Sequence, residues 1–173
     1  IAIDATVGNG YDTLFLANYY KKVIGIDIQE LAIKRSREKV KDLSNVELYL
    51  EDFNNIDKYL EEWKASVDKK PLIVKGARQV GKTASIRYFG EKYYNNIVEI
   101  NFALQPKYKQ IFADGYEVDS IIKNITLLNP TLVFVPHETL LFFDELQEYP
   151  DCATSLKSFK QDGRYDVICS GSL

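Results

Sequence analysis

Residues 76–83 read Gly76-Ala77-Arg78-Gln79-Val80-Gly81-Lys82-Thr83, and this run decides how the rest of the chain is read. G-x-x-x-x-G-K-[ST] between an apolar run and an amphipathic one is the pattern of a phosphate-binding P-loop. The glycines let the backbone curl so that successive N–H groups face one concavity at a helix N-terminus, which suits an anion. Gly76 to Thr83 are therefore the expected ATP-contacting residues. Lys82 would set its positive charge against the β- and γ-phosphates, acting in binding and catalysis, and the Thr83 hydroxyl would ligate Mg²⁺.

The surrounding sequence supplies the elements such a loop needs. Pro71 to Lys75 is a short buried-strand run leading into the loop, and Lys82 to Tyr93 has helical spacing after it. Asn96 to Phe102 reads as the next strand. Pro106 to Asn129 reads as mostly helical, with Ile111, Phe112, Val118, Ile121, Ile122 and Ile125 on its inner face. Thr139 to Phe143 is an apolar strand that delivers Asp144 and Glu145 to its tip. Asp144 is the expected Mg²⁺ partner of Thr83, and Glu145 the group that orients or deprotonates an attacking water. A short helix around Thr154 to Phe159 and a last strand, Tyr165 to Ser170, complete this part; the polar end Ser170-Gly171-Ser172 could sense a terminal phosphate.

Upstream lies a second strand–turn–helix series. Strand candidates Ile1 to Ala5, Lys22 to Ile28 and Asn45 to Leu50 alternate with helices at Asp12 to Asn18 and Gln29 to Leu43, with Leu31, Ile33 and Val40 facing inward in the second. Asp57 to Val67 is an amphipathic helix with Tyr59, Leu60 and Trp63 as its buried side. The turn Val7-Gly8-Asn9-Gly10 follows the acid Asp4, and Asp27 ends the next strand about twenty residues on. Gly8 and Gly10 allow a backbone to approach a ligand closely, and a carboxylate at Asp27 can accept both hydroxyls of a ribose. Asp52, after the third strand, could meet an adenine. A tight turn in any α/β fold is an equal explanation of a bare G-x-G.

Composition narrows the class. In 173 residues, 46% apolar and 27% charged content is that of a globular domain, so a core can form. A net charge of −3 argues against nucleic acid as a partner. The charged run Lys34 to Lys41 is read as a solvated helix face. Cys152 and Cys169 are too few for a disulfide framework or zinc site, which fits a cytoplasmic protein. Lone His137 has no companion ligand. No stretch has the roughly 20 apolar residues of a membrane span, so no membrane partner is expected. The sequence does not specify whether a protein partner or an oligomer is involved. It opens on Ile1, contains no Met and stops at Leu173, so a piece of a longer chain is expected.

Two resemblances add to this. YLEEWK, PLIVKGARQVGKT, INFA, TLLFFDELQ, SLKSF and GSL, from about Tyr59 to Leu173, resemble the N-terminal part of the AAA-type ATP-binding proteins of bacteria and archaea. That resemblance implies ATP binding and an expectation of hydrolysis. The family's lid region, further arginines and C-terminal domain have no counterpart, which puts completed catalysis in question. IDATVGNGYDTLFLA and GIDIQELAI resemble the start of a family of rRNA methyltransferases. That implies a class I methyltransferase fold with S-adenosylmethionine over Gly8 and Gly10 and its ribose on Asp27. Only three of that fold's seven strands fall within the match, so methyl transfer is not expected.

The expected fold is α/β, with mainly parallel sheets flanked by helices. A partial Rossmann-like methyltransferase half (1–56) precedes a partial P-loop AAA-type core (57–173). The first strand set should order 3-2-1, and the P-loop strand should adjoin both the acid-bearing and last strands. The expected function is an ATP/Mg²⁺-binding module with weak hydrolysis. The alternatives are an S-adenosylmethionine-binding methyltransferase-like protein and a non-catalytic chimeric fragment.

Overall fold

The computed structural model describes residues 1–172. Seven strands, β1 (Ala2–Asp4), β2 (Val23–Asp27), β3 (Val46–Leu50), β4 (Leu72–Lys75), β5 (Asn96–Asn101), β6 (Thr139–Asp144) and β7 (Asp166–Gly171), form one sheet. Their order is β3-β2-β1-β4-β7-β6-β5, and every neighbouring pair is parallel. Parallel strands need crossovers, and six α-helices serve: α1 (Tyr11–Tyr19), α2 (Glu30–Val40), α3 (Ile56–Ala65), α4 (Lys82–Tyr93), α5 (Val118–Leu128) and α6 (Cys152–Asp162).

The two strand sets expected from the sequence are continuous through β1 and β4, which pair at Ala2 with Ile73 and Asp4 with Lys75. The 3-2-1 order holds. β4 adjoins β7 as expected, but β7 stands between it and β6. The acid-bearing strand therefore lies one position further from β4, and α4, which packs on β5, β6 and β7, brings Thr83 to its tip.

Strand alternation sorts the core onto two faces. Leu72, Val74, Leu140, Phe142 and Ile168 pack with Tyr59, Leu60 and Trp63 of α3 and with Ile86 and Phe89 of α4. Ile73, Leu141, Phe143, Val167 and Cys169 point the other way, onto Ile111, Ile121, Ile125 and Phe159. The first cluster also takes in Ile3, Ile24 and Ile26, so one continuous core underlies both halves. Strands buried on both faces read as unbroken apolar runs, which is why β4 and β6 stood out in the sequence.

Some local expectations need correction. Ile33 and Val40 of α2 are buried as expected, but Leu31 is 55% exposed, and Ala32 and Ser36 complete the buried face. Small residues are needed there because α2 lies against the glycine turn, where a Cβ on Gly10 would sit 2.6 Å from Ser36 Oγ. In α1 only Thr13 and Leu16 are buried, and Phe15 is exposed. The segment after Pro106 is a 3₁₀ turn over Pro106–Phe112, separated from α5 by a loop at Gly115, whose φ is +104°. Apolar periodicity carries across that break because Ile111 and Phe112 still join the core.

Candidate functional site

Parallel strands put all their carboxyl ends on one rim of the sheet. Asp4, Asp27, Lys75, Asp144 and Gly171 end β1, β2, β4, β6 and β7 there. The chain order changes direction between β1 and β4, the place where open α/β sheets form their ligand crevice. Cavities open along this rim, and two of them hold the residues expected from the sequence.

The first, of 570 Å³, lies over the P-loop and is lined by Arg78, Gln79, Gly81, Lys82, Thr83, Asp144 and Glu145 among others. Gln79 (φ +63°) and Gly81 (φ +95°) hold left-handed conformations, and Gly81 caps α4. For Gln79 that backbone is uncommon and costs energy, as strained loops at functional sites do. Lys82 opens α4. Its ammonium is buried and donates to Gly76 O at 2.8 Å and Ala77 O at 2.7 Å, leaving one N–H for a ligand. Burial holds this ammonium below the ordinary lysine value, opposed by the charges of Glu145 and Asp144.

Thr83 Oγ1 donates to Asp144 Oδ2 at 3.1 Å, so the pair expected to share a cation is brought together. Asp144 is buried at the tip of β6. It also accepts Asn101 Nδ2 at 3.0 Å, the Glu145 N–H at 3.0 Å and the Ser170 hydroxyl. Ser170 is thus turned to Asp144 rather than toward a terminal phosphate, while Ser172 lines the cleft. Glu145 follows with φ +57°, and its carboxylate accepts a hydrogen bond from Gln147 Nε2. Gln147 Oε1 in turn accepts the Ser172 N–H at 3.0 Å. Arg87, forked onto Glu99 by two 2.6 Å bonds, lines the same cleft.

The second cavity, of 620 Å³, is lined by Gly8, Asp27, Asp52 and Phe53 from the first half and by Ala77 and Val80 of the P-loop. The loop is therefore a wall common to both cavities, and two of its expected ATP-contacting residues line the neighbouring one. Gly8, with φ +53°, donates its N–H to Asp27 Oδ2 at 2.9 Å, and the Gln29 N–H reaches Asp27 Oδ1 at 2.8 Å. Each of those oxygens keeps further acceptor capacity. Gly10 does not line this cavity; its φ of +73° and its contact with Ser36 serve the start of α1.

Sequence reasoning assigned no role to Asp4, Thr6, Asn101 or Arg87. Asp4 is buried and accepts Thr13 Oγ1 at 2.6 Å and the Thr6 N–H at 3.3 Å. Burial pushes its carboxyl above the ordinary value, while the bonds from Thr13 and Thr6 pull it back. Asn101 had a signal, the polar residue of INFA that closes an apolar strand. Thr6 had none, since its partner lies 71 positions away. His137 sits in a loop with φ +66°, its N–H on Arg164 O. Both cysteines are free and buried. Among the described residues no group of three or more His, Cys, Asp or Glu could hold a metal, and no helix is long and apolar enough to cross a membrane.

Comparison with known proteins gives two family matches along the chain. A family model described as an AAA domain matches residues 68–173, and one described as a methyltransferase domain matches residues 2–71. An rRNA methylase from Streptococcus thermophilus is similar at 30% identity over 52% of this chain and 52% of its own, with a TM-score of 0.39. A methyltransferase-like protein from Streptococcus mutans, in complex with SAH, is similar at 32% identity over 52% of this chain and 55% of its own, with a TM-score of 0.40. The chain spans about half the length of these solved structures.

Proposed function

The chain belongs to the AAA domain family through residues 68–173, and from that premise we propose that it binds ATP with Mg²⁺ at the P-loop cleft. The observation that carries this is the convergence of Thr83 Oγ1 on Asp144 Oδ2, 3.1 Å apart, beside the buried Lys82 ammonium. A hydroxyl and a carboxylate are hard oxygen donors. Mg²⁺ takes few such protein ligands and fills its shell with water and phosphate oxygens, so this pair fits it. Bound there, Mg²⁺ would neutralise charge on the phosphates.

The chain's own groups have separable tasks. Asn101 and Ser170 fix the rotamer of Asp144, so its oxygen faces Thr83. Lys82 supplies the positive charge at the loop, at low reorganisation cost because two carbonyls already orient it. Glu145 stands at the cleft as the group to orient water for slow hydrolysis, with Gln147 on its carboxylate.

Titrating Mg-ATP into the intact chain and into Lys82→Ala tests binding, and phosphate release from wild type and Glu145→Gln tests turnover. Mg²⁺-dependent binding that Lys82→Ala weakens on the order of 100-fold is the expected result. Undetectable binding, or binding indifferent to Lys82, overturns the proposal. Binding with no phosphate release beyond the Glu145→Gln level restricts the function to nucleotide binding.

A second reading concerns the neighbouring cavity, where Gly8, Asp27 and Asp52 line one wall. S-adenosylmethionine, through its ribose hydroxyls, is the ligand that arrangement favours, supported by the methyltransferase match over residues 2–71. Binding that Asp27→Ala removes would support it, and methyl transfer is not part of the proposal. A chain that binds neither ligand is the non-catalytic fragment.

A further inference from the structure

The P-loop is held from outside its own segment. The Ala5 N–H donates to Lys75 O at 2.6 Å, at the last residue before the loop. Gly76 then passes so close to the first strand that a Cβ on it would sit 2.7 Å from Ala5 Cβ. One residue on, the Ala77 N–H donates to Thr6 Oγ1 at 2.7 Å. That N–H belongs to the same peptide unit as Gly76 C=O, which accepts Lys82 Nζ at 2.8 Å.

We infer that Thr6 is a positioning residue of the nucleotide site, acting on Lys82 through the Gly76–Ala77 peptide. This rests on the ATP-binding reading given above. One amide is gripped at both ends, by a hydroxyl oxygen on its N–H and by an ammonium on its carbonyl. Bonds in such a series polarise one another, so the first strengthens the second. They also fix the rotation of the peptide plane, and with it the position of the carbonyl that holds Nζ. Thr6 is itself anchored, since its N–H donates to the buried Asp4, which accepts the Thr13 hydroxyl on its other oxygen. A line of contacts therefore runs from Asp4 through Thr6 and one peptide to the lysine. The first half of the chain contributes a side chain to the phosphate site of the second.

Three proteins test this: wild type, Thr6→Val, which keeps the shape and loses the acceptor, and Thr6→Ser, which keeps the acceptor. Mg-ATP affinity is measured by calorimetry, and exchange of the Ala77 amide with solvent by NMR. Thr6→Val is expected to weaken Mg-ATP about fivefold, the worth of one net hydrogen bond, and to speed Ala77 exchange. Thr6→Ser is expected to restore both. Equal affinity in wild type and Thr6→Val overturns the inference, as does equal loss in the Val and Ser variants, which would implicate packing. If Thr6→Val does not fold, wild type and Thr6→Ser decide, because an Ala77 amide that exchanges as fast as an open-loop amide in both removes the proposed bond. Wild type that fails to bind Mg-ATP, yet protects Ala77, instead overturns the ATP-binding reading and leaves the contact standing as structure only.

Discussion

The two glycine turns at the carboxyl rim have the same local plan, strand then turn then helix, and opposite electrostatic sense. At Gly76–Thr83 the peptide carbonyls of Gly76 and Ala77 turn toward a buried ammonium. At Asp4–Gly10 the arrangement is inverted: peptide N–H groups of Thr6 and Gly8 turn toward the carboxylates of Asp4 and Asp27, and the Gln29 N–H from the turn after β2 joins them on Asp27. The first turn is organised around a cation and suits an anionic ligand. The second is organised around anions and suits a ligand that donates hydroxyl hydrogens. The ionisable side chain placed on a βα turn, more than the turn itself, sets what that turn can take.

If this contrast is right, removing the cation should have the largest effect. Lys82→Ala should cost on the order of 100-fold in Mg-ATP affinity, as loss of charge-assisted bonds does, and leave any S-adenosylmethionine binding unchanged; parallel titrations check both. Next in size is the contact between the turns. Gly76→Ala forces a Cβ onto Ala5 and should destabilise the whole chain by about 1–3 kcal/mol, read from urea unfolding. Asp144→Asn should abolish the Mg²⁺ dependence of ATP binding, with an affinity loss of about tenfold, measured with and without the metal. Asp27→Ala should remove S-adenosylmethionine binding, leave Mg-ATP affinity within about twofold, and lower stability by about 1 kcal/mol, because two N–H groups lose their acceptor. If Asp27→Ala weakened ATP as strongly as Lys82→Ala does, the two turns would not be electrostatically separate.

The smallest expected effect concerns pH. Burial raises the Asp4 carboxyl above its ordinary value, so folding favours its protonated form. Its contribution is fully favourable below the unfolded value of about 3.9 and is lost as pH rises through the folded value. Asp4→Asn should remove that part of the pH dependence of the urea midpoint. A wild-type midpoint whose pH dependence matches that of Asp4→Asn would contradict it.

Much of this was legible in the sequence because it is local. β4, the loop and α4 follow from an apolar run, a glycine pattern and a helical spacing, and α4 begins and ends at the expected Lys82 and Tyr93. The tip of β6 announces Asp144 in the same way. What was not legible depends on partners distant in sequence. Leu31 fits a helical stripe equally well inside or out, and only the close approach of Gly10 to Ser36 selects the neighbouring face. The position of β7 between β4 and β6 is a property of the sheet that no single strand encodes. The Thr6–Ala77 bond joins residues that carry no shared pattern.

The β1–β4 pairing has a further consequence for how the chain could be divided. Each of these strands has a neighbour on both sides: β1 lies between β2 and β4, and β4 between β1 and β7. Cleaving the chain in the loop ahead of Leu72 and separating the products would leave β1 and β4 each with a bare row of amide donors and acceptors. Ala2, Ile3, Leu72, Ile73 and Val74 are all buried in the intact sheet, and an unpaired apolar edge is a template for another copy. Each half thus shields an apolar strand edge of the other. A purified single half should self-associate, and mixing the two halves before they do so should keep both in solution.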